Sequence, residues 1–81
     1  MLADVLGEER LRVRGSTVAE AIEAAYARIP ALRHHLCDES GGFRTHVLCV
    51  HNGASTRAAG GLQRRVKEGD EIQILQAISG G

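Results

Sequence analysis

Aromatic side chains are nearly absent from the chain, which has no Trp, one Tyr and one Phe among 81 residues. Proteins that grip single-stranded nucleic acid stack its bases on aromatic rings, and this chain has no such platform. The core must therefore be built from Leu, Ile, Val and Ala. Net charge is missing as well, because ten basic residues balance ten acidic ones. No global field draws the chain to DNA or to an anionic membrane surface. No apolar run approaches the ~20 residues that a spanning helix requires, and the residues after Met1 form no secretory leader. A cytoplasmic protein is expected, with Cys37 and Cys49 as reduced thiols rather than a disulfide.

What is present fits one small domain over residues 1–81, with 43% apolar and 25% charged residues. There is no repeat, low-complexity tract or linker. Arg10 to Arg14 alternates polar and apolar, the pattern of a half-buried strand ended by Gly15. Thr17-Val18-Ala19-Glu20 reads as a capping box. Behind it Val18, Ala21, Ile22, Ala25 and Ile29 recur at helical spacing. Pro30 closes that helix or opens a shorter one from Ala31 to Leu36. Thr45 to His51 reads as a strand with Val47 and Cys49 on one face and Leu48 and Val50 on the other. Asn52-Gly53 is a turn signal, since both residue types tolerate positive φ. Gly41-Gly42 and Gly60-Gly61 are breaks, and Leu62 and Val66 are expected core contacts. After the Glu68-Gly69-Asp70 turn, a last strand from Glu71 to about Ala77 turns Ile72 and Ile74 inward. One main helix on a sheet gives an α+β sandwich.

Side-chain chemistry offers little. His34, His35, Cys37, His46, Cys49 and His51 match no zinc spacing, so they read as surface imidazoles and structural thiols, and no metal is expected. Cys37 as a persulfide carrier would need a basic setting, and only Arg33 and His34 are near it in sequence. The Gly-Gly pairs lack the Lys-Ser/Thr of a phosphate loop. From Ser40 to Lys67 there is no acidic residue, while Arg44, Arg57, Arg64, Arg65 and Lys67 fall in that stretch. It reads as a solvated surface or as a docking face for an acidic partner.

The sequence closes on Gln76-Ala77-Ile78-Ser79-Gly80-Gly81. Glycines without Cβ atoms let a backbone thread a narrow channel toward another protein's active site. Several motifs occur in order: the Gly15-Ser16-Thr17-Val18-Ala19-Glu20-Ala21 helix start, Pro30-Ala31-Leu32-Arg33, the His51-Asn52-Gly53 turn, Glu68-Gly69-Asp70-Glu71-Ile72, and the Gly-Gly end. Together they resemble the ThiS/MoaD sulfur carriers, relatives of ubiquitin, over nearly the whole chain from Leu2.

The resemblance implies a ubiquitin-like β-grasp fold of class α+β: a mixed sheet packed on one main helix, with an abbreviated first strand and residues 77–81 as a flexible tail. It implies a carrier rather than an enzyme, with no catalytic side chain and no bound cofactor. Gly81 would be adenylated by a partner enzyme that uses ATP, and would then accept sulfur from a persulfide sulfurtransferase as a thiocarboxylate. A downstream enzyme would take that sulfur for a cofactor, cysteine, tRNA or a metabolite. Ser79 and Gly80 complete the working tail. Leu48, Val50 and Leu75, with Arg64, Arg65 or Arg44 at the rim, are the expected partner surface. Alternatives are a ubiquitin-like modifier joined to lysines, or the small subunit of a molybdopterin-synthase-like complex. Only Met1 to about Val5 is available for the first strand. Either this segment pairs with the Glu71–Ala77 strand, or the chain starts upstream of Met1, or another chain completes the sheet, with a homodimer as one result.

Overall fold

The computed structural model describes residues 1–6, 10–57 and 61–76. The working tail expected at 77–81 lies outside the described residues. In chain order the elements are β1 (Leu2–Leu6), β2 (Arg10–Arg14), α1 (Val18–Arg28), α2 (Ala31–Leu36), β3 (Val47–His51), β4 (Ala54–Ser55), a 3₁₀ turn (Gly61–Gln63) and β5 (Asp70–Gln76). They form one five-stranded sheet ordered β2-β1-β5-β3-β4. β1 runs parallel to β5, and the other neighbouring strands are antiparallel.

The abbreviated first strand pairs on both sides and covers β5 from Asp70 to Gln73. It pairs with β2 from Leu2↔Arg14 to Leu6↔Arg10, and with β5 from Ala3↔Asp70 to Leu6↔Gln73. Its alternation buries Ala3 and Val5 toward the helix. The central position of β1 and β5 follows from this pattern, because each is apolar on the helix side and paired along both edges.

α1 starts where the capping box places it. The Glu20 amide donates to Thr17 Oγ1 at 3.2 Å. The Glu20 carboxylate, however, accepts from the Ser16 amide at 2.7 Å, one residue before the cap. Gly15 is required by close approach: a Cβ there would lie 2.6 Å from the Ala21 amide nitrogen. Val18, Ala21, Ile22, Ala25 and Tyr26 form the buried stripe of α1. They meet Val5, Val13, Val47, Cys49, Ile72 and Ile74 of the sheet, with Val66 sealing one end.

Asn52 (φ 50°) and Gly53 (φ 85°) link β3 to β4, pairing His51 with Ala54 across a two-residue turn. β4 is only two residues long, and side chains continue its work. Thr56 bonds the Cys49 carbonyl through its amide at 3.0 Å and its hydroxyl at 3.2 Å. Arg57 Nη2 donates to the carbonyls of Val47 at 2.8 Å and Thr45 at 3.0 Å. The outer edge of β3 is thereby closed without a longer strand.

Candidate functional site

β5 carries the chain toward Ala77-Ile78-Ser79-Gly80-Gly81 from the middle of the sheet, between β1 and β3. Ser79, Gly80 and Gly81 themselves lie outside the described residues. The surface around the end of β5 is well defined. Ile72 and Ile74 are buried, so Glu71, Gln73 and Leu75 alternate onto the face away from the helix. By the same rule β3 turns Val47, Cys49 and His51 inward, and Leu48 and Val50 outward.

Strand register assembles these residues. Leu48 stands directly opposite Leu75, and Val50 opposite Gln73. Leu6 of β1 flanks Gln73 from the other side. Leu75 is 47% exposed, whereas Leu6, Leu48 and Val50 are half-buried. The result is an apolar patch beside the point where β5 ends. Leu48, Val50 and Leu75 were expected together. Leu6 was missed; the alternation of Leu2, Asp4 and Leu6 against Ala3 and Val5 gives its face, and only the register gives its neighbours.

Two of the arginines expected at the rim, Arg44 and Arg64, have partners of their own. Arg64 Nε donates to His51 Nδ1 at 3.0 Å, and that ring belongs to the inner face of β3. Arg65 is exposed, and its main chain forms a β-bridge with Thr17, the N-cap of α1. Arg44 Nη2 donates to the His34 carbonyl at 3.2 Å. Arg57, on the β3 edge, likewise donates to main-chain carbonyls.

His51 also corrects the reading of the histidines as surface groups. It is 4% exposed. Arg64 Nε donates to Nδ1, which leaves Nε2 as the nitrogen that donates to Asp70 Oδ2 at 2.8 Å. Burial alone would raise the Asp70 pKa. Hydrogen bonds from the Lys67 amide, Asn52 and His51, with the nearby His51, outweigh it and bring the carboxyl from 3.8 to about 2. This trio ties the segment after the 3₁₀ turn to the first turn of β5.

Both thiols are free and buried. Burial pushes the Cys49 pKa up, against a smaller lowering by Thr56. Cys37 Sγ lies 3.2 Å from the Tyr26 hydroxyl, whose own pKa is raised by burial and by Cys37. Arg33 lies over the Tyr26 ring at 4.7 Å and pairs with Glu23 at 2.7 Å. Among the described residues no three His, Cys, Asp or Glu side chains group as metal ligands, and no helix is long and apolar enough to cross a membrane.

Comparison with known proteins agrees with this architecture. The sulfur carrier protein CysO of Mycobacterium tuberculosis is 29% identical over 77 residues, covering 93% of this chain and 83% of the relative. A chain of the Amycolatopsis orientalis BexX/CysO complex superposes with a TM-score of 0.81 at 28% identity, covering 98% of this chain and 99% of that one. SAMP1 from Haloferax volcanii shares the fold with a TM-score of 0.79 at 22% identity, covering 99% and 97% of the two chains. The expected β-grasp sheet on one main helix is therefore borne out. The model of the ThiS family matches residues 2–81, the whole sheet and the Gly-Gly end included, and the chain belongs to that family.

Proposed function

We propose that the chain carries sulfur as a thiocarboxylate on Gly81. The observation that supports this reading best is the family match running through residue 81, with Gly80-Gly81 following in sequence on β5, which ends at Gln76 in the middle of the sheet. A carboxylate repels nucleophiles, so it must first be activated. Its oxygen attacks the α-phosphorus of ATP in a partner enzyme, pyrophosphate leaves, and an acyl-adenylate forms. The terminal sulfur of a persulfide then attacks the carbonyl carbon and AMP leaves with the bonding pair. A thiol cleaves the resulting acyl disulfide, forming a new disulfide and releasing the thiocarboxylate. The chain contributes no acid or base to these steps and holds no cofactor. Its part is to present the tail and dock.

The patch of Leu6, Leu48, Val50 and Leu75 is the docking surface in this reading. It lies beside the root of the tail, so a partner bound there has the terminus within reach of its own active site. The CysO relative of Amycolatopsis orientalis is found in a complex with BexX, which supports a partner-bound mode of work.

Incubation with a ThiS-type activating enzyme, ATP and a persulfide donor tests this by mass spectrometry. The expected product gains the mass difference between sulfur and oxygen at its C-terminus. Deleting Gly81 should abolish that product while changing stability by no more than ~0.5 kcal/mol, the scale of surface changes. Target lysines bearing Gly-Gly remnants, without thiocarboxylate, would instead assign the chain as a modifier.

A further inference from the structure

β2 is an edge strand. The Arg28 side chain reveals which of its main-chain groups face the open side, because Nη1 donates to the Arg12 carbonyl at 3.2 Å. In an antiparallel ladder the N–H and C=O of one residue point the same way, and the direction alternates along the strand. The main-chain groups of Arg10, Arg12 and Arg14 therefore face outward from the sheet edge, while those of Leu11 and Val13 bond to β1.

The side chains follow the same period. Arg10, Arg12 and Arg14 stand exposed on one face, and Leu11 and Val13 turn inward. Arg12 meets Asp4 at 3.4 Å and Arg10 meets Glu71 at 3.8 Å, with both arginines more than half exposed. Pairs of this kind hold weakly. Arg14 has no acidic partner among the described residues. With Arg28 at the same edge, cations outnumber anions among the described residues, although Glu8 and Glu9 precede Arg10 in the sequence and lie outside them. On the inner side Leu11 borders an apolar groove of about 640 Å³ between the sheet and both helices, which Ile22, Ile29, Leu32 and His35 also line.

We infer that β2 takes up an extended segment of a partner protein as an additional strand, and that this segment alternates acidic and aliphatic side chains. An added strand keeps the pleat of its neighbour, so its outer residues stand beside Arg10, Arg12 and Arg14 and are matched by carboxylates. Its inner residues lie beside Leu11 at the mouth of the groove and are matched by aliphatic chains. Main-chain bonds supply affinity and the alternation supplies selectivity. Arg28 holds the Arg12 carbonyl until an incoming amide displaces it, so Arg28 opposes binding. The site lies on the β2 edge of the sheet, and the inference stands whether or not Gly81 carries sulfur.

Titrating the isotope-labelled full chain with the peptide Val-Asp-Val-Glu-Ile-Asp-Val, followed by NMR, tests the inference. The amides of Arg10, Arg12, Arg14 and the last turn of α1 should shift, while Leu48 and Leu75 stay in place. A version of the peptide with lysine at each acidic position should not bind. Raising the salt from about 50 mM to about 500 mM should weaken the acidic peptide about tenfold. Arg14→Glu should weaken it about fivefold by charge reversal at an exposed site, and Arg28→Ala should tighten it about twofold by freeing the carbonyl. Absence of saturable binding at millimolar peptide, equal binding of the lysine peptide, or shifts confined to Leu48 and Leu75 would each overturn the inference. The arginines would then serve only to keep the edge from aggregating.

Discussion

At the scale of single residues, His51 joins parts of the chain that sequence order keeps apart. Its partners Arg64 and Asp70 lie 13 and 19 residues away, and the ring between them is 4% exposed. A buried ring whose two nitrogens are both engaged loses more on removal than a surface imidazole. His51→Ala should destabilise the fold by about 2–3 kcal/mol, measured by urea unfolding, because it leaves Arg64 and Asp70 without their shared partner. The Asp70 carboxyl carries a pH signature. Its pKa is depressed in the folded state, so its contribution is fully present above the unfolded value of 3.8 and is lost as the pH falls toward about 2. Asp70→Asn should lower stability at neutral pH and flatten the loss between about pH 4 and pH 2, which unfolding curves in acid would reveal. None of this was legible from the sequence. A histidine in an alternating strand looks the same whether it meets water or an arginine from a distant turn.

Among the elements, legibility followed the range of the signals. The Thr17–Glu20 box, the period of α1 and the Asn52-Gly53 turn are local, and each formed where the residues placed it, except that Ile29 is the C-cap of α1 and Tyr26 takes the buried place. Thr17→Ala should cost about 1 kcal/mol in thermal or urea unfolding, the usual worth of an N-cap hydroxyl. Gly15→Ala should cost at least as much through the clash with the Ala21 amide, although Gly15 has no unusual turn to announce it. Register is a long-range property and was not legible. The pairings of Leu6 and Val50 with Gln73 bring Leu6 into the apolar patch, and no periodicity within β1 names that neighbour. The basic stretch, read as a solvated surface or a docking face, shows the same limit. Proximity in sequence could not tell that Arg44 and Arg57 turn to main-chain carbonyls and Arg64 to His51.

For the whole molecule the decisive question is whether the first strand completes the sheet by itself. β1 has five residues, as many as β2, and it covers β5 from Asp70 to Gln73. A dimer was one expected remedy for an uncovered β5, and along those residues that demand is met within the chain. The protein should therefore stay monomeric in light scattering across a dilution series. Removing Met1 to Val5 creates the missing-strand situation. Ala3 and Val5 leave the core, at roughly 1.5–3 kcal/mol for the valine alone. β2 and β5 each lose a partner, exposing amides and carbonyls on a central strand beside buried Ile72. Small domains hold only about 5–15 kcal/mol in all, so the shortened chain should unfold or pair with a second copy through β5. A peptide of residues 1–6 added in trans should restore a compact monomer-sized species. A shortened chain that remained a stable monomer without the peptide would mean that the sheet closes without β1, against the pairing described above.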